Sequence, residues 1–399
     1  MQSRRLQSVD ALRGFVMVIM ALDHTREYFH SAAQQFQPED LARTTAAIFL
    51  TRWITHFCAP VFLFTAGIGA YYWMMRGRTR AGLSRYLAKR GLWLILLELT
   101  VLRLAFTFNV LAGPVLLTIL WAIGWSMIAL AFLAWLPVRW LAVVSIAGIA
   151  LHNLADPVRG GSFWMVLHRQ GLIHLAGLPV IVAYPLIPWM FVMSAGFCFA
   201  PLVANRRLLL RLGMALTLAF VLLRALNVYG DLRPWLQYTP HAWLSFLNTT
   251  KYPPSLDFLL MTLGPALLLL AFFESRPMEK NPLLIYGRAP LFYFLAHLFL
   301  IHLLTILFAV VRYGPAGFVL DPQASKLPQY GYSLAVVYAI WAMVVALMYP
   351  ACRWYERIRP SSANLKAWRA SRSAAFASYR SAASPRPPRP GTSPTSGMA

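Results

Sequence analysis

The sequence predicts an all-α integral membrane protein, a polytopic bundle of about ten transmembrane helices with both termini cytoplasmic. Three observations carry this prediction. Of the 399 residues, 59% are hydrophobic and only 12% are charged, where a soluble globular chain carries about 25% charged residues. The apolar residues gather into runs near 11–29, 49–75, 91–109, 114–136, 140–156, 179–202, 208–227, 256–274, 289–312 and 333–352, each close to the length that crosses a bilayer. With both termini cytoplasmic, most of the 36 Lys and Arg fall on the cytoplasmic side, as the positive-inside rule expects.

The connections bear this out in order. The cytoplasmic side receives Arg4, Arg5 and Arg13, the cluster Arg76, Arg78, Arg80, Arg85, Lys89 and Arg90, then Arg139, Arg206, Arg207 and Arg211. It also receives Arg276, Lys280, Arg288 and the basic residues from Arg353 onward. A net charge of +23 spread in this way meets anionic lipid headgroups and argues against nucleic acid as a partner. The opening MQSRR resembles the start of a signal peptide. Arg26 and Glu27, however, separate the apolar run from Ser31-Ala32-Ala33, so the segment reads as a retained first span. Cys58, Cys198 and Cys352 are widely spaced and form neither a metal pattern nor a disulfide framework. From about Pro360 the composition turns to Ser, Ala, Pro and Arg. The chain is therefore expected to divide into a transmembrane domain at 1–355 and a basic, disordered cytoplasmic tail at 356–399.

The first span, SVDALRGFVMVIMALDHTREYFH from Ser8 to His30, is the stretch where chemistry is expected. It carries Asp10 and Arg13 at one end and Asp23, His24, Arg26 and Glu27 at the other. Ionisable groups in a span are costly and rare without a partner or a function. On an ideal helix Asp10, Arg13, Met17, Met20 and His24 share an arc of roughly 80°, with Arg13 and His24 about 16 Å apart. Asp23 points about 100° from His24, so it either orients that ring where the helix ends or unwinds, or contacts the acceptor instead.

Other ionisable residues in apolar runs are His56, Glu98, Arg103, Asp257, His297 and His302. Glu98 and Arg103 are too poorly spaced to pair within one helix, so each is expected to find a partner elsewhere. His297 and His302 are about 140° apart, so at most one points into a common site. No pair has the spacing of a metal site, and no metal is expected. A Walker loop, dinucleotide fingerprint, HExxH and nucleophile elbow are all missing. Gly67, Gly69 and Gly196 suit close helix packing. The outer loops hold Trp164, Trp235 and Trp243, interface anchors that could also stack on a sugar.

SVDALRGFVMVIMALDH resembles the first-span signature of membrane acyltransferases of the heparan-α-glucosaminide N-acetyltransferase type and, more remotely, the acyltransferase-3 superfamily. In the latter, Leu-Arg-Gly precedes a histidine by the spacing that separates Gly14 from His24 here. RWITHFCAPVFLFTAGIGA, YPLIPWMFVMSAG, LNTTKYPPSLDFLLMTLGPALLLLA and GRAPLFYFLAHLFLIH resemble bacterial members of the glucosaminide group. The resemblance implies transfer of an acyl group, acetyl in the family, from acetyl-CoA or another acyl-CoA to an acceptor in the external compartment. It carries over His24 as the catalytic base and His297 as a further polar site residue. From their own places on the first span, Asp23 is expected to be catalytic beside His24, and Arg13 and Asp10 to meet the cofactor at the cytoplasmic end. His297, His30 and Lys251 are expected to line the site. The chain departs from the lysosomal enzymes, which have Asn-Tyr in place of Asp23-His24 and a reactive histidine in the next loop. His30 matches that position poorly, so an acetyl-histidine intermediate is not carried over.

The expectation is a multi-pass acyltransferase of the bacterial cytoplasmic (inner) membrane. It would use membrane lipids, an acyl-CoA and an external glycan or other polar acceptor as partners, with a homo-oligomer open. The competing class is a proton-coupled transporter using the same Asp and His residues. No internal repeat of the kind that marks many transporters is visible.

Overall fold

The computed structural model describes residues 2–33, 35–109, 111, 113–238, 241–317 and 330–358. The chain divides into two compact units, Met1–Arg353 and Trp354–Ala399, and the description concerns the first. Most of the tail expected at 356–399 lies outside the described residues.

Helix dominates. In chain order the helices are α1 (Gln2–Phe29), α2 (Ala46–Trp53), α3 (Cys58–Met74), α4 (Arg80–Leu97), α5 (Arg103–Thr107), α6 (Ile119–Leu133), α7 (Val138–Leu151) and α8 (Ser162–His168). They continue as α9 (Trp189–Phe199), α10 (Arg206–Leu226), α11 (Ala242–Leu247), α12 (Leu256–Glu274), α13 (Leu283–Arg288), α14 (Pro290–Tyr313) and α15 (Leu334–Ile358). Six stretches among the described residues are long and apolar enough to cross a membrane: Ala46–Met74, Val138–Ala155, Arg206–Leu226, Leu256–Glu274, Pro290–Tyr313 and Leu334–Ile358. Apolar side chains such as Ile146 on α7, Leu218 on α10, Val311 on α14 and Leu347 on α15 point outward. Surface of that character, on helices of that length, is what lipid covers. The protein is a multi-pass helical membrane protein.

Two apolar runs are not helical throughout. The run from 114 begins with strand β1 (Val115–Leu117), and the run from 179 lies within strand β3 (Leu178–Val182) before its helix starts. With β2 (Gly171–Leu175) they form a small sheet in the order β1-β3-β2, parallel between β1 and β3 and antiparallel between β3 and β2. Its buried face holds Leu117, Ile173, Val180 and Val182. β-Branched Val180, Ile181 and Val182 favour extended backbone, and Pro185 and Pro188 delay the helix. Past the strands, the main-chain N–H groups of Ala183 and Tyr184 both donate to the Leu117 carbonyl. This brings Tyr184 beside Thr118.

α1 sits at the centre. It packs on α3, α12, α13 and α14, and apolar residues round its whole circumference are buried, among them Val9, Leu12, Val16, Ile19 and Leu22. A helix that is apolar all round belongs inside a bundle. Its tightest neighbour is α13. A Cβ on Gly14 would collide with the Leu283 carbonyl, and one on Gly287 with the Asp10 carbonyl. The glycine of the Leu-Arg-Gly motif is thus a backbone contact. The same device joins α3 to α9, where Gly67 lies against the Met193 carbonyl and Gly196 against that of Phe64. Gly69 does something else: its missing Cβ leaves room for the guanidinium of Arg13.

Gly14→Ala is expected to destabilise the folded protein by about 1–3 kcal/mol or more through overpacking. Gly161→Ala, where an added Cβ meets nothing within 4 Å, should change stability by no more than about 0.5 kcal/mol. Thermal unfolding of both variants in detergent, monitored by size-exclusion fluorescence, checks the contrast.

Candidate active site

Two cavities lie along α1. The first, about 240 Å³, is walled by Arg13 and Met17 of α1, Thr65 and Gly69 of α3, and Tyr86 and Arg90 of α4. The second, about 170 Å³, is walled by Asp23, His24 and Glu27 of α1 together with Arg52, Lys251 and Tyr252. Met20, Phe62, Ile119 and Phe294 belong to both walls, so an apolar collar separates the chambers. Because α1 is one unbroken helix, Arg13 belongs to one chamber and His24 to the next, about 16 Å along the axis.

At the Arg13 end, Nε donates to Thr65 Oγ1 at 3.1 Å, Nη2 donates to the Thr65 carbonyl, and Nη1 lies 3.4 Å from Asp10 Oδ1. Asp10 lines neither chamber and acts by holding Arg13. Arg90 adds a second guanidinium to the wall and donates to the Tyr86 hydroxyl at 2.8 Å. The chamber is otherwise largely apolar.

At the other end, Arg52 is the hub. It pairs with Asp23, and its Nε donates to Glu39 Oε1 at 3.0 Å. Arg26 closes the network from the next turn of α1, 3.2 Å from Asp23 Oδ1 and 3.5 Å from Glu27 Oε1. Asp23 is therefore turned away from His24, as helical spacing requires, and the helix does not unwind to bring them together. It neutralises arginines. Burial alone would raise the Glu39 carboxyl, but Arg52 and His56 outweigh it and hold the group well below the usual carboxylate range.

His24 instead meets His297 of α14, with Nδ1 of the first 2.8 Å from Nε2 of the second. The ring planes are within 22° of parallel and the centroids 5.0 Å apart, so the rings meet edge to edge, and His297 Nδ1 lies 2.7 Å from the Tyr293 carbonyl. His302 faces away, bonded through Nδ1 to the Ala105 carbonyl and stacked on Phe108. The angular separation of the two histidines decides this.

Lys251 does line the second chamber, although it makes no ion pair among the described residues; its ammonium lies 5.2 Å from the Tyr252 ring centroid. Its loop is held by Asp231, whose carboxylate accepts from Thr250 N, Thr250 Oγ1 and Ser255 Oγ at 2.6–2.7 Å. His30, expected on the site, lines neither chamber. α1 ends at Phe29, and His30 turns away to bridge Tyr332.

Several contributors were not singled out from sequence: Arg52, Tyr184, Tyr252 and the clamp Asp231. The signal for Arg52 was available, a charge at the end of an apolar run in RWITHF. The aromatic wall comes from Tyr184 and Tyr252 with Phe62, Phe106 and Phe294, not from Trp164, Trp235 or Trp243. Glu98 finds its partner on another element, as expected. It sits in a π-helical turn (Glu98–Leu102) and accepts from Thr118 N, Thr118 Oγ1, Leu120 N and Trp121 N at 2.6–3.1 Å. A carboxylate there satisfies the open N–H groups that begin α6, which steadies Thr118 and Ile119 on the chamber wall.

Residues 5–240, more than half of the chain, match the catalytic domain of heparan-alpha-glucosaminide N-acetyltransferase. The chain belongs to this family. No curated protein matches it as a relative. Membership in the heparan-alpha-glucosaminide N-acetyltransferase family implies a transferase of acetyltransferase type. Arg13, Asp23, His24 and Arg52 lie within the matched stretch; Lys251 and His297 lie beyond it.

Arg52→Ala leaves buried Asp23 with Arg26 alone and takes the arginine partner from half-buried Glu39. The expected cost is at most about 3–5 kcal/mol, read as a lowered Tm, and Arg52→Lys should not restore it because lysine lacks the forked donor geometry. The depressed Glu39 carboxyl adds stability that is present above the unfolded carboxylate value, about 4.3, and is lost as pH falls below it. Melting curves should therefore drop less between about pH 5 and pH 3 in Glu39→Gln than in the wild type.

Proposed function

We propose that residues 1–355 form a ten-span acyltransferase of the bacterial cytoplasmic membrane, with both termini cytoplasmic. It would move an acetyl group from cytoplasmic acetyl-CoA to a hydroxyl or amine acceptor, a glycan by family analogy, at the external face. The observation that supports this reading is the pair of chambers on either side of a shared apolar collar, with guanidinium groups at one end and, at the other, an imidazole whose Nε2 makes no hydrogen bond among the described residues.

On this reading Arg13 and Arg90 meet the phosphates of the donor, for which guanidinium groups are suited. The Met17–Met20 face takes the pantetheine arm, and the thioester reaches past the collar towards His24. His24 accepts the proton of the acceptor as it attacks the thioester carbon, and returns it to the departing thiolate. The chamber excludes bulk water with Tyr184, Tyr252 and Phe294. Lys251 offers a positive charge to the oxygen that becomes negative during attack. Asp23 has a supporting role: it keeps Arg52 and Arg26 neutralised beside the base.

The test uses purified protein in lipid vesicles, radiolabelled acetyl-CoA and glucosamine as the acceptor probe. His24→Ala should lower transfer by about 10²–10⁴-fold. Full activity in a correctly inserted variant would end the mechanism. Arg90→Gln should raise KM for acetyl-CoA roughly tenfold with kcat kept, as loss of one charge-assisted contact predicts. Failure of the wild type to bind acetyl-CoA at all would favour a transporter.

A further inference from the structure

We propose that His297 is a positioning residue that fixes the tautomer of His24, so that His24 acts as a base through Nε2. What the base is used for rests on the acyltransferase reading, but the tautomer follows from the hydrogen bonds alone.

The argument starts at the main chain. The Tyr293 carbonyl can only accept, and it lies 2.7 Å from His297 Nδ1, so that nitrogen carries a proton. His297 is fully buried, 0% exposed, and makes no ion pair among the described residues. A charged ring there would be buried without a counter-ion. The neutral ring has one N–H, already assigned to Nδ1, so its Nε2 presents a lone pair. That lone pair faces His24 Nδ1 at 2.8 Å, so His24 Nδ1 is the donor. The free lone pair of His24 is then on Nε2, and His24 is part of the second chamber's wall.

The same arrangement serves the charged form. When His24 takes a proton at Nε2, Nδ1–H keeps its acceptor and the new cation retains a hydrogen bond. The path does not conduct. A proton passed to His297 could go no further than a peptide carbonyl, which cannot deliver it onward. The pair is built to orient a base, and a relay for proton transport would need a titratable group in place of that carbonyl.

Solid-state NMR of the full chain, 15N-labelled at histidine and held in lipid nanodiscs, reads the tautomer directly. The His24 signals are identified by their loss in His24→Gln. The expected result is a protonated Nδ1 and a bare Nε2 at His24; the reverse pattern would overturn the proposal. Kinetics add a second arm, with acetyl-CoA as donor and glucosamine as acceptor. His297→Gln keeps an acceptor for His24 Nδ1–H and should hold kcat within a few-fold. His297→Phe fills the space without an acceptor and should lower kcat roughly 10–10³-fold with KM for acetyl-CoA unchanged. Equal losses in two folded variants would indicate a packing role and sink the idea. If His24→Ala retained transfer, the acyltransferase mechanism would fail, while the NMR result would still decide the tautomer.

Discussion

Ionised side chains on a buried helix must be met by partners, and the rest of this protein is arranged to meet those of α1. An isolated buried charge costs several kcal/mol even after relaxation, so neither end of α1 can stand alone. At one end Asp10 and Thr65 receive Arg13. At the other, Arg52 arrives from α2 and Glu39 from the preceding loop to close a network with Asp23 and Arg26. The chain between α1 and α2 is thus tied to α1 by charge, while α13 is tied to it by the backbone contact at Gly14 and Gly287.

This division explains why the two chambers differ. Around Arg13 the helix faces α3 and α4, whose apolar side chains leave a long slot with guanidinium groups at its edge. Around His24 loop residues complete a wall that the helices begin, because the sheet turns Tyr184 inward and Asp231 holds the Lys251 turn. Loops carry polar groups more cheaply than spans do, since their backbone already needs hydrogen-bond partners. A largely apolar chamber and a more polar one thus lie along the same helix.

The fold was legible where periodicity and length decide it. Long apolar runs became helices that reach across a membrane, and the angular separations of Asp23 from His24 and of His297 from His302 held because α1 and α14 are regular. Legibility failed where extended backbone and apolar composition coincide. Val115–Leu117 and Leu178–Val182 are as hydrophobic as a span, yet they pair as strands. His30 failed for another reason: a residue one step past a helix end takes its direction from the turn, and no local pattern encodes where that turn leads.

The sequence by itself determined the membrane class, the central charged helix and the sharing of one face by Arg13 and His24, because these depend on composition and on helical geometry within one element. Only the tertiary structure decided the partners. Arg52 reaches Asp23 across 29 residues and His297 reaches His24 across 273. Such pairings arise from packing between elements, where a buried donor or charge selects whichever complementary group the fold brings within reach.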